Sequence, residues 1–415
     1  MIFFYIFLLL FQLLNTYLGF LAPLNPYVFS ILFILYGMKF PLKITNIKII
    51  FILLLLIFFF IVVYTLKFSF LSSFSIAAKA IQFNFGYLFL IPGFTALFST
   101  FRSVNLKHVL SATFWVITLE LLVEFALIRV LNVSPGSFTH YPKVAHIQLD
   151  RVTGEYIAER LLGMAGNASV TGVLYTTSFA LYIGCLLKEN GKVFNKKILA
   201  IIFTFVGCFF MIVSGSAFFA IIGSLFLVWI QKNGNLIKNS IIAVLVLAGV
   251  LASFNYVSGL TDAFGNKFTT EYLFLLLQND DVQGSLPYLI NEMSIGYNWF
   301  KFFFGSYYFE WGNPDAVIRT VDYFYVNLVY EFGLIGLFLF AYIIKITFNA
   351  VKKVQLLDDN YLKFGFFVII LGSLHYPAIA YMASQVFLSS IAAIALRDFN
   401  FERERIVLND SFKVT

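Results

Sequence analysis

The feature that most constrains this chain is a succession of apolar runs, each near the length a helix needs to cross a bilayer. Such a helix takes about 20 largely apolar residues to cover roughly 30 Å of hydrocarbon. Runs that meet or approach this length lie at 2–20, 22–38, 46–66, 73–99, 108–131, 169–187, 197–213, 215–230, 239–256, 322–346, 363–376 and 378–396. The expected fold class is therefore an all-α polytopic integral membrane protein, one transmembrane domain over residues 1–415 with about twelve spans. The last pair and the pair around Ser214-Gly215-Ser216 have the least defined boundaries. Composition agrees, because only 12% of the 415 residues are charged. That is half of the roughly 25% found in soluble domains. A soluble enzyme, a disordered chain and a fibrous protein are excluded. The first run is too long and too weakly basic for a cleavable signal, so it reads as a retained helix. Cys185 and Cys208 both sit in apolar runs and read as small hydrophobes.

The net charge of +7 suggests basic cytoplasmic loops rather than nucleic-acid binding. With the N-terminus inside, alternate connections carry 19 of the 28 Lys and Arg, among them Lys107, Lys188, Lys196, Lys232, Lys352 and Arg397. The positive-inside rule thus predicts that both termini are cytoplasmic. In this frame two long connections fall on the opposite face, 132–168 and 257–321. Recognition or chemistry is expected on that face.

The first connection carries Lys143, Asp150, Arg151, Glu155, Glu159 and Arg160, with His140 and His146. A short helix over 155–164 would set Glu155 and Glu159 at i,i+4. Arg160 stands at the mouth of the sixth span, where it either grips a diphosphate bidentately or caps the interface and pairs with Glu155 or Asp150. The second connection contains the aromatic-rich, amphipathic stretch 286–312, which suits an interfacial helix or a lid. Arg319 and Asp322 follow at i,i+3 at the start of the tenth span. They read either as a mutual pair that closes the helix end or as a phosphate cation beside a proton-accepting carboxylate. Glu331 lies about nine residues deeper, and Gly333 and Gly336 permit close helix packing. Lys79 faces either a bridge to Glu120 or Glu124 or a phosphate below the outer cleft. His108 and His375 read as structural histidines. The sequence holds no HxxxH, CxxC or DxD metal-ligand pattern. It also lacks a Walker A or GxGxxG motif in context, so no metal or other cofactor is expected.

Three stretches carry a resemblance to a known family. Arg160-Leu-Leu-Gly163-Met-Ala-Gly-Asn167 resembles an Arg-x-x-Gly followed by Asn just before a span. Ser214-Gly215-Ser216 resembles a Ser-Arg turn that opens a span, with Ala217 following where an Arg is often found. Thr320-Val-Asp322-Tyr323 with Glu331-Phe-Gly333-Leu-Ile-Gly336, preceded by Phe304-Gly305, is similar to an Asp-x-x-Tyr…Phe-Gly-x-x-Gly signature. In order and topology these resemble the bacterial O-antigen polymerases of the Wzy type, within the superfamily that includes the O-antigen ligases. Ligases carry a His where this chain has Asp322, which favours polymerase.

The resemblance implies a glycosyltransferase of the C type in the bacterial inner membrane, with its active site facing the periplasm. It implies metal-independent transfer between undecaprenyl-diphosphate-linked oligosaccharides, as donor and acceptor, and a chain-length regulator protein as a partner. Asp322, Arg160 and Arg319 are then the expected catalytic residues, with Asp322 the general base and the arginines on the diphosphate. Arg151, Lys79, Glu155, Glu159, Asn167 and Tyr323 are the expected substrate contacts. The alternatives are an O-antigen ligase acting on lipid A core and a non-enzymatic flippase for lipid-linked oligosaccharides.

Overall fold

Five of the described helices start at a polar side chain, Asn105, Asn167, Asn195, Ser214 or Asp358, which accepts from an amide of the first turn. The computed structural model describes residues 2–3, 5–7, 9–10, 84–86, 90–99, 104–133, 147–149, 156–159, 161–190, 195–212, 214–233, 303–305, 324–374 and 377–413. Helix α1 (Leu106–Phe125) opens with a capping box, in which the Asn105 side chain accepts from the His108 amide and His108 Nδ1 accepts from the Asn105 amide. It continues through a π turn, Ala126–Val130, and ends at Asn132 with φ +50°. His108 is thus structural, as expected. A two-stranded antiparallel ribbon follows, β1 (Ile147–Leu149) and β2 (Tyr156–Glu159), with Ile147 paired to Glu159. The helix expected over 155–164 is therefore absent: alternating Tyr156–Glu159 pairs as a strand, and residues 161–167 form a turn.

Helices α2 (Ala168–Asn190), α3 (Lys196–Ile212) and α4 (Gly215–Asn233) come next. They are followed by α5 (Phe324–Val354), α6 (Asp359–Gly372), a 3-10 turn (Ala378–Ala380) and α7 (Met382–Lys413). Among the described residues, four segments are long and apolar enough to cross a membrane: Leu106–Val130, Ala168–Glu189, Gly215–Lys232 and Glu331–Val354. The protein is a helical membrane protein in this sense. Expected spans 22–38, 46–66 and 239–256 lie outside the described residues, as does most of 2–20.

Helix α2 is the hub. In its span 89% of the residues are buried, against 22–44% for the other three, and it packs on α1, α3, α4 and α6. Glycines let it approach so closely. A side chain at Gly172 would meet Ala217 and Ser214 of α4 at 2.9 and 3.0 Å, and one at Gly184 would meet Tyr361 of α6 at 2.7 Å. Such small-residue contacts replace the hydrophobic drive that lipid removes. Phe114, Tyr175 and Phe205 link α1, α2 and α3 through ring contacts of 5.2 Å each. Cys185 and Cys208 are buried free thiols in this packing.

Two departures from simple spans matter. Helix α5 is broken at Gly333, where φ is +69° and ψ −172°. The rings of Phe324 and Tyr325 lie 5.2 and 5.9 Å from that of Phe340. In a continuous helix those residues would stand about 22–24 Å apart. The first limb, 324–332, thus folds back on the second, and Glu331 is at the tip rather than nine residues deeper. The single span expected over 322–346 is two limbs, because one glycine reverses the chain. Helix α6 has 14 residues and is about 21 Å long, short of the roughly 30 Å of hydrocarbon.

Candidate functional site

The described parts of the three motif stretches meet at one end of the bundle. At the other end, Lys107 pairs with Glu189, and Asp359 pairs with Lys363 at 2.7 Å and Lys352 at 3.6 Å. The lysine-rich end also holds Arg397, which is buried and donates to the Val104 and Phe98 carbonyls at 2.7 and 3.2 Å. Hydrogen bonding from Lys363, the larger cause, and its charge hold the Asp359 carboxyl below the usual carboxylate range.

At the motif end, Leu161–Asn167 folds into a tight turn. Gly163 and Gly166 have φ of +61° and +65°, the left-handed region that glycine occupies at little cost. The Asn167 side chain then caps α2, accepting from the Ser169 and Val170 amides at 2.9 and 3.3 Å. Glu124, only 1% exposed, reaches across from α1. Its Oε1 accepts from the Leu162 amide and its Oε2 from the Gly163 amide, each at 3.0 Å. From α2, Thr171 Oγ1 donates to the Leu162 carbonyl at 2.6 Å and accepts from the Ala165 amide at 3.3 Å.

Beside this turn, buried Ser214 caps α4 by accepting from the Ala217 amide at 3.2 Å. Gly172 of α2 lies directly against it. Gly372 packs on Val173, so α6 ends at the same level. There Ser373 Oγ donates to the Ile369 carbonyl at 2.7 Å and accepts from the Ile379 amide at 3.1 Å. The first limb of α5 joins them: Tyr325 donates its hydroxyl to the Ile370 carbonyl at 2.9 Å. Tyr323 and Asp322 immediately precede this limb.

The tip of the fold-back is a second junction. Glu331 is 2% exposed and accepts from Asn84 Nδ2 at 3.0 Å, while Phe85 meets Phe332 edge-on at 5.0 Å. Residues 303–305 press main chain to main chain on 331–333. A side chain at Gly305 would collide with the Glu331 carbonyl, and one at Gly333 with the Phe303 carbonyl. Gly333 therefore serves as a reversal point, not as a helix-packing residue. An apolar groove of about 430 Å³ opens between α5 and α6, with Tyr325 and Ile370 near one end and Lys345 and Lys363 near the other.

Among the sequence-expected site residues, Asn167 is the one whose side chain is described, and it caps α2. Glu159 ends β2, and only its main chain is described. Asp322, Arg160, Arg319, Arg151, Lys79, Glu155 and Tyr323 lie outside the described residues. Sequence reasoning missed the Glu124 clamp, since its partners are main-chain amides that no residue type announces. The available signal was Gly163 and Gly166 beside an intramembrane glutamate. Among the described residues no group of three or more His, Cys, Asp or Glu side chains forms a metal-ligand set. No protein-family profile, curated protein or solved structure matches the chain.

Proposed function

We propose that this chain is a polymerase of the Wzy type, joining undecaprenyl-diphosphate-linked oligosaccharide repeat units on the periplasmic face of the bacterial inner membrane. In this reading the chain has about twelve spans and cytoplasmic termini. The observation that carries the proposal is the convergence at one end of the bundle: the 161–167 turn, the Ser214 cap and the limb that follows Asp322-Tyr323. Stretches far apart in sequence meet there, at the end opposite Lys107, Lys352 and Lys363, as a periplasmic site requires under the positive-inside rule.

The chemistry suits the residues. A diphosphate is already a good leaving group, so the protein must neutralise its growing charge and accept a proton from the attacking hydroxyl. Arg160 and Arg319 bind the diphosphate, with Arg151 and Lys79 behind them. Asp322 takes the proton from the acceptor hydroxyl, and Asn167, Tyr323, Glu155 and Glu159 contact the substrates. The α5–α6 groove, lined by apolar side chains except for Gln231, Lys345 and Lys363, accommodates part of an isoprenoid chain. No metal takes part, and a chain-length regulator is the expected partner.

The test is the lipopolysaccharide of a strain lacking this gene. Loss of a polymerase leaves core carrying one repeat unit, and the gene restores the ladder. Arg160→Ala and Asp322→Asn are expected to abolish long chains at normal protein levels. Full ladders from both variants would overturn the assignment. Accumulation of lipid-linked polymer instead would identify a ligase.

A further inference from the structure

The groove between α5 and α6 is polar at one end and apolar at the other. Gln231, Lys345 and Lys363 line it from three different helices, α4, α5 and α6. Gln231 stands near the end of α4, and Lys363 lies one turn into α6, so both belong to the lysine-rich end. Lys345 is about 10 Å along α5 from Lys352, which reaches Asp359 at the start of α6. The far end of the groove is apolar, because the Tyr325 hydroxyl is engaged by the Ile370 carbonyl.

Charge at the polar end is unbalanced. Lys363 and Lys352 share the one carboxylate of Asp359, at 2.7 and 3.6 Å. Among the described residues Lys345 has no carboxylate partner. It nevertheless lies inside the membrane-crossing segment Glu331–Val354, where an ammonium is costly unless it meets an anion or reaches the interface. The flank beside it is open: Phe338 and Tyr342 of α5 are 68% and 52% exposed, and Ala341 is exposed too. We propose that the groove seats an anionic phospholipid from the leaflet beside the lysine-rich end. Its phosphate lies among Lys345, Lys363 and Gln231, and an acyl chain runs along Phe340, Phe366 and Ile370. Cations and a carboxamide donor complement a phosphodiester, and basic pockets between spans recognise lipid headgroups in this way. The inference does not depend on the proposed reaction, in which an isoprenoid would enter from the Tyr325 end and compete for the same apolar length.

The test titrates full-length protein in neutral detergent with phosphatidylglycerol, or with phosphatidylcholine of the same acyl chains, and counts bound lipid by native mass spectrometry. Phosphatidylglycerol is expected to bind at least about fivefold tighter than phosphatidylcholine. Lys345→Gln should weaken phosphatidylglycerol roughly fivefold and leave phosphatidylcholine unchanged. Lys196→Gln, at an exposed position of α3 at the same end, should change neither. Ala341→Trp narrows the groove and should weaken both lipids. Equal binding of the two lipids, or an equal loss in Lys196→Gln, overturns the phosphate site. Unaltered binding in Ala341→Trp overturns the groove as the seat of the chain. Should Lys345→Gln fail to accumulate, Gln231→Leu removes a phosphate donor without changing the charge, and phosphatidylglycerol should again bind more weakly. Protein that polymerises nothing yet discriminates the two lipids removes the proposed function and leaves this site standing.

Discussion

Single glycines decide the local geometry at the motif end, and their substitutions are correspondingly informative. Gly163 has φ +61°, and a side chain there would collide with the Thr171 methyl. Gly163→Ala thus combines backbone strain with overpacking and should destabilise the protein by about 2–4 kcal/mol, read as a lower unfolding temperature in detergent. Gly207 is the contrasting case, with open space around it in the middle of α3. Gly207→Ala should be neutral or stabilise by up to about 1 kcal/mol in the same assay. Charge at the lysine-rich end gives a pH-dependent prediction. The Asp359 carboxyl sits below its ordinary value, so its ion pairs stabilise the fold above about pH 4 and the contribution is lost as pH falls through the lowered value. Asp359 is nearly half exposed, so the effect is small and salt-sensitive. Asp359→Asn should lower the unfolding temperature slightly at about pH 7, and the difference should shrink as pH falls below about 4.

At the scale of elements, α2 and α6 behave as one unit because glycines on both helices face the partner. Gly184 meets Tyr361, Gly365 meets Leu181 and Gly372 meets Val173. Gly184→Leu and Gly372→Leu are expected to separate these helices and cost about 1–3 kcal/mol each, since Tyr361 Cβ and the β-branched Val173 cannot swing away. Double substitution should be less than additive if the helices part as a pair, which thermal unfolding of the three variants would measure. Much of this level was legible in the sequence. Apolar runs at 108–131, 169–187, 215–230 and 197–213 foretold α1 to α4 within a few residues, because burial in lipid demands length and hydropathy alone. The reversal at Gly333 was not legible. The apolar run continues through Gly333 without a break, and the packing of Phe324 and Tyr325 on Phe340 is what distinguishes a fold-back from a straight helix. The 155–164 helix failed for a related reason: Tyr156–Glu159 is too short a stretch for its periodicity to outweigh pairing with Ile147–Leu149. The site residues read from the sequence were side chains, whereas the contacts that organise the turn end on main-chain amides.

Taken as a whole, the bundle has two chemically distinct ends, one of ammonium–carboxylate pairs and one of glycine turns and buried caps. Under the proposed function the first faces the cytoplasm, so a cysteine introduced in the 355–358 turn should react with maleimide only after the inner membrane is permeabilised. Labelling in intact cells would invert the frame and remove the periplasmic site. The short helix α6 has a bearing on this. It leaves the lysine-rich end beside Lys352, stops after about 21 Å, and the chain returns along α7 to Arg397, which grips the Phe98 and Val104 carbonyls at the end it started from. The excursion is a closed round trip. Whether α6 pierces the far leaflet or stops within it, the parity of crossings is the same, and the 355–358 turn and Arg397 share one compartment. Hydropathy counting can thus misjudge α6 without misplacing the side on which the chain re-emerges.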